Sequence, residues 1–455
     1  MNKTVVKFGG SNLKSPEDFE KILRVVDAYP HPIIIIVSAF FGVTSALDEF
    51  LRSNNLNSKS IMRLRKHLWH IHRNALEANI EDPGLLEETF EEVNNRIIQL
   101  ERYLLGIHYI GKTPSFAIDS ILSYGERLSS CVLRAILSGH GFASREIFPE
   151  QLKLTTVDDH FSDSVDFNIS EGPVKSFLAE DCTWVIPGFY GITRAGEVAL
   201  FGRGGSDYSA AAIARCVGAR SLDLWKDVDG FMTTDPEIVI NPKGIQHLTY
   251  AEAAELAYFG AKVLHPRTVE PLSGKKIPIH IYNINKPDIQ NPLTIINGSH
   301  EKENGTIKSI TATSDISILK IKGEGVGILP GLLARVTQAL DEQHINIKSV
   351  QTTQTAINLL LSPADLKQAA RLVGQLQLAL IMNIEYIDEI VLIALVGDGI
   401  LKKPGIINRM VSVVACKGIN IEMISFGASD VATYFIVKKE HRDIVIKDLH
   451  REFFP

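Results

Sequence analysis

Five short apolar runs, at residues 5–8, 33–38, 183–186, 221–225 and 279–282, are separated by longer stretches in which apolar residues return every three to four positions. Runs of that length read as buried strands and the longer rhythm as helices, so the first two thirds of the chain is predicted to be α/β with a mainly parallel sheet. The helix after the first run is marked at its start by Ser15 as a cap, Pro16 in the first turn, and Glu17 and Asp18 at the positive end of the dipole. Residues 45–110 interrupt the alternation with polar helical sequence, basic at first (Lys59, Arg63, Arg65, Lys66, Arg73) and then acidic (Glu87, Glu88, Glu91, Glu92). An inserted helical hairpin is predicted, its charges solvated or paired across it. His67, His70 and His72 lie on this stretch without a carboxylate at metal-ligand spacing, and are expected on its solvated surface.

A second organisation begins near residue 305. A strand at 316–321, a turn from Gly325 to Gly331, a helix at 332–343 and a strand opening His344-Ile345-Asn346-Ile347 come first. The order recurs about 74 residues later as 390–396, Gly397 to Gly405, a helix to Cys416 and Lys417-Gly418-Ile419-Asn420-Ile421. Two copies at so long a period are a tandem duplication, since a solenoid needs about three or more repeats to bury its core. Each copy resembles an ACT domain, the α+β βαββαβ module that binds amino acids. The first spans 315–388. The second, 389–455, stops at a helix, so the strand-like segment within 305–314 is expected to complete its sheet.

Composition narrows the class. The chain has 455 residues, room for two or three domains, and its 45% apolar and 22% charged residues are those of an ordinary globular protein. With 47 Lys and Arg against 53 Asp and Glu, the net charge of -6 leaves no basic field for nucleic acid. No apolar run approaches the ~20 residues that cross a bilayer, so no membrane partner is expected. Four dispersed cysteines without a CxxC pair, and an N-terminus opening directly into a strand, predict a cytoplasmic protein with reduced thiols and no metal site.

Three glycine-rich segments compete as phosphate sites. Gly106-Ile107-His108-Tyr109-Ile110-Gly111-Lys112-Thr113 satisfies GxxxxGK[ST], but helical rhythm precedes it and Pro114 follows. A phosphate loop instead follows a buried strand and opens a helix, so this match is set aside. In Lys7-Phe8-Gly9-Gly10-Ser11 a strand ends in glycines whose amides are free for phosphate, with Lys7 in reach of a transferring group. Phe201-Gly202-Arg203-Gly204-Gly205-Ser206-Asp207 opens a helix at 208–216 and sets an anion nest beside a guanidinium suited to a carboxylate.

These segments stand in order with Ser38-Ala39 and Thr44, Ser123-Tyr124-Gly125-Glu126-Arg127, Gly188-Phe189-Tyr190-Gly191, Trp225-Lys226-Asp227-Val228-Asp229-Gly230, Thr234-Asp235-Pro236 and Phe259-Gly260-Ala261-Lys262-Val263-Leu264-His265-Pro266. The series, followed by the ACT pair, resembles the aspartokinase family over nearly the whole chain. The resemblance implies a three-layer amino-acid-kinase-type domain over 1–295 and two ACT domains. It also implies phosphoryl transfer from ATP, with Mg²⁺, to the β-carboxylate of L-aspartate, the first step of the aspartate-family amino acid pathway. An acceptor with a pKa near ~3.9 is already an anion at pH 7 and needs no general base; the site must instead hold two anions together.

By the same resemblance Lys7 stabilises the transferring group, with Gly9, Gly10 and Ser11 around the phosphates. Ser38, Thr44, Phe189 and Ser206 line the acceptor pocket, Arg203 clamps a carboxylate, and Glu126 suits the ammonium. Asp207 either shares the ammonium or orients Lys7. Lys226, Asp227 and Lys262 fall where the family binds nucleotide. Two departures stand out: Ser11-Asn12 replaces the family's Thr-Ser, and Glu237 follows Pro236 where the family commonly places an arginine on the nucleotide.

The ACT pair implies an amino acid effector and a homodimer or dimer of dimers. In lysine-sensitive relatives acids lie along the second strand of the first copy, where this chain has Lys348 and Gln354. With Asn346 and Asn420 these are the expected effector residues, and a neutral amino acid such as threonine the expected effector. Two rival readings are a kinase of the same fold acting on glutamate, acetylglutamate, carbamate or UMP, and a non-catalytic amino-acid sensor. The first lacks the Gly-Glu-Arg motif and the ACT pair together; intact Lys7, Glu126, Arg203 and Asp207 stand against the second.

Overall fold

The computed structural model describes residues 3–53, 57–157, 164–298, 306–326, 328, 330–376 and 381–455. Its chain folds into two compact units, the first built from Met1–Phe231, Gly244–Ala257 and Lys262–Lys302. The core of this unit is an eight-stranded sheet in the order Ser144–Glu146, Thr183–Pro187, Ile34–Val37, Thr4–Phe8, Ser221–Lys226, Ile279–Asn283, Thr294–Asn297, His247–Thr249. Only the pairing of Ile279–Asn283 with Thr294–Asn297 is antiparallel. The central strands are buried on both faces, as parallel strands between helical layers must be. Val6 and Phe8 pack into one cluster with the helices Asp18–Ala28 and Ser115–Gly139. Alternation sends Val5 and Lys7 to the other face, where Gly205–Val217 lies. The α/β expectation for this part holds.

Local details differ from the sequence reading. The first helix starts at Asp18, whose carboxylate accepts the amides of Lys14 and Ser15, so Asp18 rather than Ser15 closes the helix start. The charged stretch forms the helices Ser58–Asn79 and Pro83–Ile110, joined across their faces by Arg65 and Glu101 at 2.9 Å and by the rings of Trp69 and Phe90. His72 is not on a solvated surface: it is fully buried, its Nδ1 2.7 Å from the Leu68 carbonyl and its ring on Phe40. Burial pushes its pKa down to about 4, so it is a neutral core histidine.

The GxxxxGK[ST] match lies on the end of a helix. Gly106 to Ile110 are the last turn of Pro83–Ile110, and Gly111, at φ +69°, is its left-handed cap, followed by an exposed Lys112. Lys112→Ala is therefore expected to leave kcat and the KM for ATP within about twofold of wild type in a steady-state assay. Loss of turnover with the fold intact would reinstate this lysine as a phosphate ligand.

The second unit comprises Met232–Lys243, Tyr258–Ala261 and Glu303–Pro455. It holds two four-stranded antiparallel sheets, each backed by two helices. One has the order Ser349–Thr353, Ala356–Leu361, Ser317–Lys322, Asn383–Ile387, and the other Ser309–Thr313, Ile390–Val396, Ala432–Lys438, Met423–Ser425. Ser309–Thr313 occupies in the second sheet the place that Asn383–Ile387 takes in the first. The division of the chain is not a single cut near 300, because Met232–Lys243 and Tyr258–Ala261 also belong here. Ile238 is buried in the core of Val391, Ile393 and Phe435, and the Thr233 carbonyl accepts the Ile310 amide at 2.8 Å. Among the described residues no helix is long and apolar enough to cross a membrane.

Candidate active site

Parallel strands place their carboxyl ends at one edge of the sheet, where α/β proteins bind ligands. Lys7, Ser38 and Lys226 sit at the ends of three neighbouring strands on that edge. Gly10 closes the first strand so tightly that a Cβ would stand 3.1 Å from the Ala39 carbonyl. Ser38 is tied down from the helix Ser115–Gly139, whose Ser129 hydroxyl donates to its carbonyl at 2.7 Å. On the same helix a Cβ on Gly125 would meet Ala39 Cβ at 2.8 Å, so glycine is needed for the close approach that brings Glu126 to the edge.

The fourth wall is the turn 202–205 and the first turn of the helix Gly205–Val217. Gly202 and Gly204 both take φ near +69°, a left-handed conformation open to glycine, and Arg203 projects between them, exposed. The helix begins with Ser206 and Asp207, its positive end turned to the edge. Phe189, at φ +78°, packs under this turn: a Cβ on Gly205 would lie 2.8 Å from its ring.

The open cavity between these elements, about 690 Å³, is lined by Lys7, Gly10, Ser11, Ser38, Thr44, Glu126, Phe189, Arg203, Ser206 and Asp207 among others. Asp207 is 6% exposed and binds two ammonium groups, Lys7 Nζ at 2.5 Å from Oδ1 and Lys226 Nζ at 2.8 Å from Oδ2. Burial alone would raise its pKa, but Lys226 and Lys7 hold it well below the usual carboxylate range. Of the two roles open to Asp207, this is the geometry of orienting Lys7. Glu126 is 3% exposed, accepts the Ser206 hydroxyl at 3.4 Å on Oε1 and leaves Oε2 without a partner. Burial pushes its carboxyl up to about 8, against the opposing pull of the Ala39 amide, Lys7 and Ser206.

Profiles of the amino acid kinase family match residues 2–283, and ACT domain profiles match 311–373 and 393–453. Chloroplastic aspartokinase 1 of Arabidopsis thaliana is 30% identical over 472 residues, covering 99% of this chain and 80% of that protein. The chain belongs to the aspartokinase family. Among solved structures, E. coli aspartokinase III in complex with aspartate and ADP aligns over 100% of both chains at 26% identity with a TM-score of 0.83. The same protein in complex with lysine and aspartate aligns at 25% identity with a TM-score of 0.80, again over both whole chains.

Not every residue the aspartokinase motifs single out meets the cavity. Asp227 lies outside its lining and pairs with Lys14 at 3.0 Å. Lys262 is exposed and is not among the lining residues. Lys226 reaches the cavity only through Asp207. Glu237 belongs to the second unit, where its amide donates to Asp235 Oδ1 at 2.9 Å. Asn346 and Asn420 are exposed in corresponding connections of the two ACT copies, and Gln354 is exposed in a turn. Lys348 pairs with Asp315 at 2.8 Å. Motif reasoning missed Phe40, Phe41, Asp48 and Arg52, which also line the cavity. Asp48 and Arg52, four apart and paired at 2.9 Å, follow Thr44 on one helix, and that helical spacing was the available signal.

Proposed function

We propose that this chain transfers the γ-phosphoryl group of ATP to the β-carboxylate of L-aspartate, giving 4-phospho-L-aspartate and ADP. The observation that carries the reading is the buried Lys7-Asp207 pair, backed by Lys226, in one cavity with Arg203 and Glu126, a wall able to hold an anionic acceptor against a phosphate tail. A carboxylate oxygen attacks Pγ, the bond from Pγ to the β,γ-bridging oxygen breaks, and charge is conserved without any proton transfer. Gly10 leaves bare backbone where a Cβ would crowd the Ala39 carbonyl, which suits a phosphate cradle. Lys7, fixed by Asp207, meets the charge developing on the phosphoryl oxygens. Arg203 clamps the α-carboxylate of aspartate in a planar fork, and Glu126 takes its ammonium. ATP enters as its Mg²⁺ complex, the metal shielding phosphate charge. A coupled assay with L-aspartate, L-glutamate, N-acetyl-L-glutamate, carbamate and UMP tests the reading, acyl phosphate being trapped with hydroxylamine. Turnover with another acceptor and none with L-aspartate would overturn it.

Glu126 makes substrate binding pH-dependent. In the empty cavity its carboxyl holds a proton below about pH 8, and an entering ammonium favours the carboxylate, so binding expels that proton. Affinity therefore rises with pH until the group is ionised: the KM for L-aspartate should fall between pH 6 and 8, by at most roughly tenfold per unit. In Glu126→Gln it should stay high and flat. A flat wild-type profile would remove Glu126 from the ammonium site.

The same reading makes the ACT pair the seat of amino acid control, in a cytoplasmic homodimer or dimer of dimers. Asp315 in the first copy is occupied by Lys348 and by the Ser362 hydroxyl at 2.6 Å. That leaves this stretch poor in acids for a lysine side chain. Titration of activity is expected to show weak inhibition by lysine alone and stronger inhibition by threonine; strong inhibition by lysine alone would overturn the assignment.

A further inference from the structure

Arg267 lies just past the motif at 259–266 and is not among the residues lining the cavity, yet it holds the turn that forms the cavity's anion wall. Its Nη1 donates to the Phe201 carbonyl at 2.8 Å, at the entrance to the turn. Its guanidinium lies 4.6 Å from the centre of the Tyr208 ring, in the first turn of the helix that leaves it. Nη2 donates to the Ser164 hydroxyl at 3.3 Å. Phe201 and Tyr208 are themselves packed edge to face, 5.1 Å apart, and almost wholly buried. One side chain thus fastens both ends of the segment that carries Arg203 and Asp207. Between those ends the turn is pressed on His265, since a Cβ on Gly204 would fall 2.3 Å from His265 Cβ.

We propose that Arg267 is a positioning residue for aspartate recognition, setting the place of Arg203 through the Phe201 carbonyl and the Tyr208 ring. The inference rests on the aspartate reading of the cavity. A lysine in its place keeps the charge and a single donor nitrogen, but cannot stack a planar group on Tyr208 while reaching Phe201, and small misplacements of a binding group have large kinetic effects.

The test is a double-mutant cycle on purified full-length protein. Arg267→Lys is expected to raise the KM for L-aspartate roughly tenfold with a smaller change in kcat, in the KM for ATP and in Tm. In an Arg203→Ala background, where there is no guanidinium left to place, the same substitution should change kcat/KM for L-aspartate by less than about twofold. If Arg267→Lys unfolds the protein, Arg267→Gln takes its place in the cycle. An unchanged KM for L-aspartate, or equal losses in both backgrounds, would reduce Arg267 to a structural residue. Failure of the wild-type enzyme to phosphorylate L-aspartate would instead strike the parent reading.

Discussion

Lys7→Ala is expected to lower kcat by roughly 10² or more while the fold survives. Lys7 is 5% exposed at the end of the central strand, and burial depresses its pKa while Asp207 opposes the shift. In such a dry place an ammonium aimed at the transferring group acts at a low effective dielectric, where its charge counts for more than in water. Because the charge on the phosphoryl oxygens grows toward the transition state, the loss falls on kcat more than on either KM. The fold survives because Asp207 keeps Lys226 at 2.8 Å as its counter-ion. Steady-state kinetics with a thermal melt check both halves. A kcat within a few-fold of wild type would take Lys7 out of the chemistry.

Asp207→Asn has the opposite signature, a loss of stability together with activity. Both carboxylate oxygens serve ammonium groups that are themselves buried or nearly so, Lys7 at 6% and Lys226 at 14% side-chain exposure. Removing the charge leaves two cations facing each other around a neutral amide, and breaking a buried pair in this way costs about 3 kcal/mol or more. Asp207 ionises far below the ordinary range, so its contribution is complete at neutral pH. It erodes only when the unfolded chain takes up a proton there and the fold does not, below about pH 4. Urea unfolding of wild type and Asp207→Asn should therefore differ clearly at pH 7 and converge as the pH falls below about 4. Equal stability at pH 7 would show that the cluster is not bound through Asp207.

Single-residue errors in the sequence reading have local causes. The charged neighbours of His72 point to the surface, yet it stands four after Leu68 and three and four before Ala75 and Leu76, on the apolar stripe of the helix. The stripe, and not the average polarity, decides which way a helical side chain faces. Helical rhythm likewise sets the match at Lys112 aside correctly: a letter-perfect motif on a helix end lacks the strand-to-helix turn that gathers amides around a phosphate.

What could be determined from the chain alone is what depends on near neighbours: the alternation of short buried strands with helices, the glycine turns, the duplicated α+β module and the ordered motifs of the aspartokinase family. Periodicity and turn chemistry are local properties, and they are written within about ten residues of where they act. What only the tertiary structure decided joins distant residues. The order of the sheet brings Lys7 beside Lys226, and the helix Gly205–Val217 lays Asp207 between them. Arg267 reaches 66 residues back to the Phe201 carbonyl, and Met232–Lys243 is claimed by the second unit because Ile238 finds its burial there. No local pattern encodes these pairings, because each is selected by the burial of apolar surface and by the cost of leaving a charge unpaired once the whole chain has packed.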